Sequence, residues 1–443
     1  MTPAARFAAL IELTDLLLAE WQRDSPRPAE LVLKAYMRER RYIGGGDRRA
    51  LQESLFALLR GLGAAKAKCA SGGLPENGRS LAICFAGAEA TALCEGGKYG
   101  APPLSDAELH MIHAPLTTRH SLLPEWLDAL LREQYGEEAD ALNAALQEPA
   151  PVDLRVNLIK TTREAARAAL AKEGVETTPI EGLPEGLEAP RHANITQTQT
   201  YLNGWAEVQD RGSQGVIQNL LLALQTEQGE AQSVGFGENT HSKEELESAA
   251  RGSMPPLIKI IDYCAGGGGK SLALASALNN HAEIIAWDWD AKRLSQLTPR
   301  AARAGAACIV KWELASDTLP LADIVLVDAP CSGTGTIRRH PDLPWRLTPK
   351  KIAEYQQLQS IVLQKAAQKV KKGGYLCYVT CSLLESENIQ CVNDFLTNNI
   401  NFRVAPLAQM WNKETAKIAL SLQFLPHSHQ SDGFYLALLK HEI

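Results

Sequence analysis

The sequence predicts a doubly wound α/β sheet with an antiparallel C-terminal edge pair, preceded by an all-α domain and a small α+β module. Three observations predict it. Beyond Pro255-Pro256, short apolar runs alternate with helical periodicity, the pattern of strands joined by crossover helices. Before residue 148, apolar residues recur at helical spacing. Between 149 and 225, extended runs and Pro- and Gly-punctuated turns surround a helix.

In the N-terminal part, periodic runs at Phe7–Trp21, Ala29–Met37 and Leu51–Leu62 are broken by Ser25-Pro26-Arg27-Pro28 and Gly44-Gly45-Gly46. Arg38, Arg40, Arg41, Arg48 and Arg49 cluster at the second break, and their spacing favours a solvated helix face over a phosphate-contacting patch. Residues 70–105, rich in Gly, Ala and Cys, carry no assignable period. Helical pattern returns over Leu122–Leu146, and Pro149-Ala150-Pro151 closes the domain. The module 149–225 opens with an extended run, Val152–Leu158, followed by a helix over Thr162–Lys172 and strands to about Val208. Val216, Ile217, Leu220, Leu221 and Leu224 then predict a helix to about Leu224. The acidic stretch 226–256 has no apolar period and reads as a flexible insertion.

In the region 257–443, strands are predicted at Leu257–Asp262, Glu283–Asp288, Cys308–Lys311, Ile324–Asp328 and Tyr375–Thr380. Helices are predicted at Ser271–Leu278, Ala291–Ala304 and Ile352–Val370, the last ended by Gly373-Gly374. Leu422–Leu425 and Phe434–Leu439, around Ser431-Asp432-Gly433, read as the antiparallel edge pair.

Composition narrows the function classes. With 443 residues, 45% hydrophobic and 22% charged, the chain is neither disordered nor fibrous and reads as two or three globular domains. No run approaches the roughly 18 apolar residues of a membrane span, and Glu12 and Asp15 interrupt the apolar N-terminus where a signal peptide stays apolar. A cytoplasmic monomer is expected. The net charge is −6, of which −4 falls within 227–251, so bulk charge argues against coating nucleic acid but leaves room for a local basic patch. Nine cysteines without a C-x-x-C pair read as reduced thiols, with neither a disulfide framework nor a metal site.

In sheets of this kind ligands sit at the carboxyl ends of the strands, and four of those ends carry unusual residues. The first is Cys264-Ala265-Gly266-Gly267-Gly268-Gly269-Lys270, where successive glycines let backbone approach a ligand and a helix N-terminus offers free N–H groups. A phosphate-binding P-loop would need glycine where Cys264 stands, which weakens a nucleoside triphosphatase. The second is Trp287-Asp288-Trp289-Asp290, an acidic end at the distance where a carboxylate takes ribose hydroxyls, with Asp288 as ligand and Asp290 as helix cap. The third, Asp328-Ala-Pro-Cys331-Ser-Gly-Thr-Gly335, and the fourth, Thr380-Cys381-Ser382, place two cysteines on loops of one sheet. Packing alone does not account for both.

These residues resemble the Sun/Fmu-type RNA cytosine-C5 methyltransferases. The likeness rests on the loop around Cys331, on Arg338-Arg339-His340-Pro341-Asp342 with Trp345, and on Thr380-Cys-Ser-Leu-Leu-Glu-Ser-Glu-Asn388. It covers residues 150–440, and Asp47-Arg48-Arg49 and Leu58-Leu59-Arg60-Gly61 fit the NusB-like RNA-binding domain of bacterial enzymes for small-subunit rRNA. The resemblance implies a Rossmann-like class I methyltransferase domain at 257–443 and a NusB-like domain at 1–148, with S-adenosylmethionine as cofactor and RNA as partner. It implies that Cys381 adds to C6 of cytosine, Asp328 holds the base edge and Cys331 assists removal of the C5 proton. Arg338, Arg339 and His340 would contact RNA. The family loop reads Cys-Ala-Ala-Pro-Gly-Gly-Lys, so Gly266 and Gly267 stand here for Ala-Pro. No acidic residue stands plainly after the third strand, where Glu313 lies closest.

The chemistry gives both thiols work. A thiolate adding to C6 makes C5 nucleophilic, which splits one hard step into two. An unperturbed thiol is ionised to a few per cent at pH 7. Small-subunit rRNA is the expected substrate. The alternatives are the same chemistry on tRNA, or a non-catalytic RNA-binding assembly factor, which would need neither cysteine.

Overall fold

Apolar residues three and four apart give the N-terminal region its helices, whose buried faces meet in one core. The computed structural model describes residues 1–113, 121–228, 257–408 and 418–442. They form two units, 1–149 with 336–351 and 150–335 with 352–443. In the first, helices Pro3–Glu20, Ala29–Glu39, Gly45–Arg60, Leu62–Ser71 and Gly78–Ala86 bury Leu13, Leu17, Leu33, Leu55, Leu58 and Leu81 together. The stretch without an assignable period is therefore partly helical. Its helices are short and built from Ala, Gly and Cys, so the contrast between buried and exposed faces is weak. Segment 336–351 belongs to this unit: Trp345 packs on its core, and the Asp342 carboxylate accepts the Ala29 N–H at 2.9 Å and Arg346 Nε at 2.7 Å.

The second unit begins with an antiparallel sheet of β1 (Val152–Val156), β2 (Thr178–Pro179), β3 (Gly186–Ala189) and β4 (Ala206–Val208), in the order β2-β3-β1-β4. Helix Arg163–Lys172, capped by Thr162, covers it and buries Ala166 and Leu170 against Leu154, Val156 and Leu187. Helix Arg211–Gln228 leads towards the acidic stretch, which beyond residue 228 lies outside the described residues.

The main sheet contains β5 (Lys259–Asp262), β6 (Glu283–Ala286), β7 (Ile309–Lys311), β8 (Ala322–Asp328), β9 (Val370–Thr380) and β10 (Phe402–Ala405). After a two-stranded ribbon of β11 (Leu407–Ala408) and β12 (Ile418–Ala419), β13 (Leu422–Phe424) and β14 (Phe434–His441) complete it. The order is β10-β14-β9-β8-β5-β6-β7, with β13 also on β14. Strands β5 to β9 run parallel, whereas β14 is antiparallel to all three of its neighbours. Alternate side chains feed two cores. Ile260, Ile284, Ile324 and Leu326 face one with Val216 and Leu220; Ile261, Ile285, Val325 and Val327 face the other with Leu363 and Phe395.

Four local expectations are corrected. Strand β6 ends at Ala286, which leaves Trp287 and Asp288 in the following loop. The helix expected over 291–304 is two, Ala291–Leu294 and Leu297–Ala304. Helix Pro349–Ala367 stops earlier than expected, and Gly373-Gly374 lie inside β9, where Gly373 takes φ +77° beside a register shift against β8. The edge pair gains a third antiparallel member, β10, whose polar-alternating sequence gave no strong signal. Among the described residues no helix is long and apolar enough to cross a membrane.

Candidate active site

Four strands of the parallel sheet end in the loops that the sequence singled out. After β5 the chain turns through Gly266 at φ +53° and Gly268 at φ +81°, conformations open to glycine at little cost. At Gly268 space adds to the requirement, since a Cβ there would lie 2.2 Å from Leu297 Cδ1. Helix Gly269–Ala277 starts at once, leaving its first N–H groups at the strand end.

Asp288, after β6, has a fully buried carboxylate whose oxygens accept the Gly266 N–H at 2.7 Å and the Asp290 N–H at 2.8 Å. It organises the glycine loop directly. Asp290 caps the next helix by accepting the Lys292 and Arg293 N–H groups. Beside them opens a cleft of about 310 Å³ lined by Trp287, Asp288, Trp289, Lys311, Trp312 and Glu313. Trp287 is fixed there by Nε1 donating to the Leu314 carbonyl and by its ring lying 4.7 Å from Tyr263. Glu313 is mostly exposed and paired with Lys311 at 2.6 Å.

Lys270 and Asp328 meet at the centre. Lys270 Nζ lies 2.6 Å from Asp328 Oδ2, with the lysine buried and the carboxylate a third exposed. Burial favours loss of the lysine's proton, but attraction to Asp328, Asp262 and Cys381 outweighs it and holds the ammonium above its ordinary value. Behind them Asp262 is buried, with Oδ2 accepting from Ser271 Oγ at 2.6 Å. Burial, reinforced by Asp328 and Asp288, pushes its pKa up to about 7.

Parallel pairing of β8 with β9 puts Asp328 opposite Val379 and brings the two cysteine loops side by side. Cys331 Sγ and Cys381 Sγ are 3.4 Å apart. The hydrogen bond to Cys381, and then burial, push the Cys331 thiol well above its ordinary value, so Cys331 keeps its proton. Gly335 N–H donates to the Cys381 carbonyl at 2.9 Å, stitching the loops through their backbones.

A buried carboxylate ties them more firmly. Glu387 Oε1 accepts the Ser332 N–H at 2.8 Å and Gln359 Nε2 at 3.0 Å, while Oε2 accepts Ser332 Oγ and Ser382 Oγ at 2.5 Å each. Each serine follows one cysteine. Asn388 accepts from Thr380 Oγ1 and donates to the Ser382 carbonyl, fixing the strand end itself. Glu387 stands in the motif that follows Cys381, and the sequence alone assigns it no role. The available signal was a hydroxyl directly after each cysteine, followed by acidic residues on a strand end that is otherwise apolar.

The structure therefore gathers Cys264 to Lys270, Asp288, Asp328, Cys331 and Cys381 at one edge of the sheet in the second unit. Arg338, Arg339 and His340 fall in the first unit. There Arg338 is buried and its carbonyl accepts from Arg60 Nη2 at 3.3 Å, Arg339 is half-buried, and His340 is exposed. Among the described residues no group of three or more His, Cys, Asp or Glu side chains is placed to hold a metal ion.

Residues 257–440 match the family model described as 16S rRNA methyltransferase RsmB/F, and residues 123–196 match the RsmF/B-like ferredoxin-like domain. A relative from Synechocystis sp., named probable ribosomal RNA small subunit methyltransferase B, is 33% identical over 329 residues. That alignment covers 72% of this chain and 66% of the relative, so the chain spans just under two thirds of the curated protein it matches. The solved structure of PH0851 superposes with a TM-score of 0.71 at 22% identity, covering 99% of both chains. NSun6 from Pyrococcus horikoshii, solved with SFG, gives a TM-score of 0.58 at 20% identity over 72% of this chain and 98% of that one. At these identities the two structures establish the fold.

Proposed function

This chain belongs to the 16S rRNA methyltransferase RsmB/F family, and on that premise we propose that it methylates C5 of a cytosine in RNA, with small-subunit rRNA as substrate. The observation that carries the reading is the pair of thiols 3.4 Å apart beside the Lys270–Asp328 pair. A binding scaffold requires neither.

S-adenosylmethionine, when bound, supplies an electrophilic methyl group on a sulfonium. The site has the features such a group needs. Two positive-φ glycines bring backbone close, a helix N-terminus follows, and an aromatic-lined cleft opens next to Asp288. Cys264 to Lys270 and Asp288 would hold it.

As a thiolate, Cys381 Sγ forms a bond to C6 of the cytosine and C5 becomes enamine-like; C5 would then take the methyl group, its bond to the sulfonium breaking and S-adenosylhomocysteine leaving. Asp328 lies one strand away, and its carboxylate, held in place by Lys270, accepts from the N4 amino group and from N3 once that nitrogen carries a proton. Cys331 then acts on the C5 proton. Its proton is retained chiefly through the hydrogen bond to Cys381. Once Cys381 is a thioether that interaction is lost, and Cys331 ionises more readily than in the free enzyme. Having released its own proton to water, it takes the C5 proton, the C5–C6 double bond re-forms, and the S–C6 bond breaks to return Cys381. Cys381 is thus the nucleophile and leaving group of one turnover, and Cys331 its base.

Wild type, Cys331→Ala and Cys381→Ala incubated with S-adenosylmethionine and unmodified rRNA or tRNA transcripts test this on denaturing gels. The expected result is a denaturation-resistant RNA adduct that accumulates in Cys331→Ala and is absent from Cys381→Ala. Accumulation on tRNA alone would reassign the substrate. No adduct in either variant, with no methyl transfer by wild type to RNA or to ribosomal subunits, would leave the fold as a binding scaffold.

A further inference from the structure

The glycine loop is held from outside as well as from within. Four successive residues lack a Cβ, and glycine loses more backbone freedom on ordering than any other residue. Three of the loop's backbone groups are nevertheless fixed by side chains. Asp288 accepts the Gly266 N–H, Arg300 Nη1 donates to the Gly267 carbonyl at 2.6 Å, and Gln209 Nε2 donates to the Gly269 carbonyl at 3.3 Å.

Two of these three lead back to the small antiparallel module. The side chain of Glu207, on β4, is 3% exposed, accepts Arg300 Nη2 at 3.1 Å and pairs also with Arg303. Its desolvated charge fixes the direction of the Arg300 guanidinium, whose other nitrogen reaches Gly267. Gln209 directly follows β4, and its Oε1 accepts from Arg155 Nε, on β1, at 2.6 Å. Arg155 is buried as well.

We propose that the module is a working part of the cofactor site: Glu207 acting through Arg300, and Arg155 acting through Gln209, set the Gly267 and Gly269 carbonyls so that the loop is formed before S-adenosylmethionine arrives. The proposal rests on the assignment of this loop to the cofactor. Arg300, Gln209, Glu207 and Arg155 are positioning residues, and their effect is exerted on binding by sparing the ligand the cost of ordering four glycines.

Calorimetric titration with S-adenosylhomocysteine tests it, on wild type, Arg300→Met, Glu207→Gln and the double variant Arg300→Met with Gly267→Pro. Arg300→Met is expected to bind about 10-fold more weakly, with a less favourable entropy of binding. Glu207→Gln should follow in the same direction. The double variant should recover to within about 3-fold of wild type, because proline fixes φ without the clamp. Gly267 suits proline in two respects: its φ is not positive, and its N–H makes no hydrogen bond among the described residues. A Cβ there would meet chiefly the Arg300 head group, at 3.2 Å, which methionine removes. Thermal unfolding of each unliganded variant separates binding from folding. Unchanged affinity in Arg300→Met, or a loss that Gly267→Pro does not repair, overturns the proposal. Absence of binding by wild type overturns the cofactor assignment, and the proposal with it.

Discussion

Strand β5, which leads into the glycine loop, and the two-cysteine end of the sheet each carry a buried carboxylate, Asp262 and Glu387, and they satisfy it differently. Glu387 receives four hydrogen bonds, two from hydroxyls and two from N–H groups, and binds the loops of β8 and β9 into one piece. Asp262 receives one, from Ser271, and its Oδ1 is buried without a partner among the described residues. A carboxylate with that few donors is costly to keep charged, and its pKa rises accordingly. The thiols need a fixed separation, so the groups around Glu387 are fully committed. Asp262, at the end of β5 where the glycine loop begins, sits in a looser, pH-sensitive setting.

The largest expected effect comes from removing the tighter arrangement. Glu387→Ala leaves the Ser332 N–H, Gln359 Nε2 and two hydroxyls facing a cavity. At about 1.5 kcal/mol or more per lost charge-assisted hydrogen bond, partly recovered by hydroxyl rotation, the destabilisation should be about 4 kcal/mol in urea unfolding. Glu387→Gln distinguishes donor types. A glutamine oxygen at the Oε1 position keeps both N–H partners, and its amide nitrogen faces hydroxyls that can turn to accept. It should lose no more than about 2 kcal/mol. Equal losses in the two variants would show that the charge, and not the pattern of acceptors, holds the loops.

On the opposite side Gly268→Ala is the corresponding break. The backbone there is left-handed and the new Cβ would sit 2.2 Å from Leu297 Cδ1. Strain and overpacking together should cost about 3 kcal/mol. S-adenosylhomocysteine binding by the folded variant should fall by more than stability alone explains. A variant as stable as wild type would mean that the turn relaxes freely.

The sequence showed the order of strands and helices in residues 257–443 because burial on both faces of a parallel sheet produces apolar runs such as Ile324–Val327, bounded by polar loops. The same patterning placed both cysteines at strand ends. It did not show Glu387 as a hub, because whether a glutamate is buried depends on donors from Ser332 and Gln359, more than 25 residues away in the chain. It also gave no hint that Arg300 reaches Gly267, since a carbonyl is an acceptor at every residue. Asp288 shows a further limit. Its place at a strand end was legible, but the partners of its carboxylate, the Gly266 and Asp290 N–H groups, appear only once the loop is folded.

The smallest expected effect probes Asp262 through pH. Its folded pKa of about 7 exceeds the unfolded value of about 3.9. Between those values the folded protein keeps a proton that the unfolded chain has released. Stability from this group is therefore lost as pH rises from about 4 to about 7, and the loss is complete above that. At 1.36 kcal/mol per unit, with the folded group half-titrated by the end of the interval, the change from pH 5 to pH 7 should be about 2 kcal/mol. Asp262→Asn cannot titrate, and its amide still accepts from Ser271. The variant should gain on wild type by about that amount over the interval and stay parallel to it above pH 8. Urea unfolding at pH 5, 6, 7 and 8 reads the difference directly. A constant offset between the two proteins would mean that Asp262 is ionised throughout, balanced by Lys270, and the contrast with Glu387 would then lie in the number of hydrogen bonds alone.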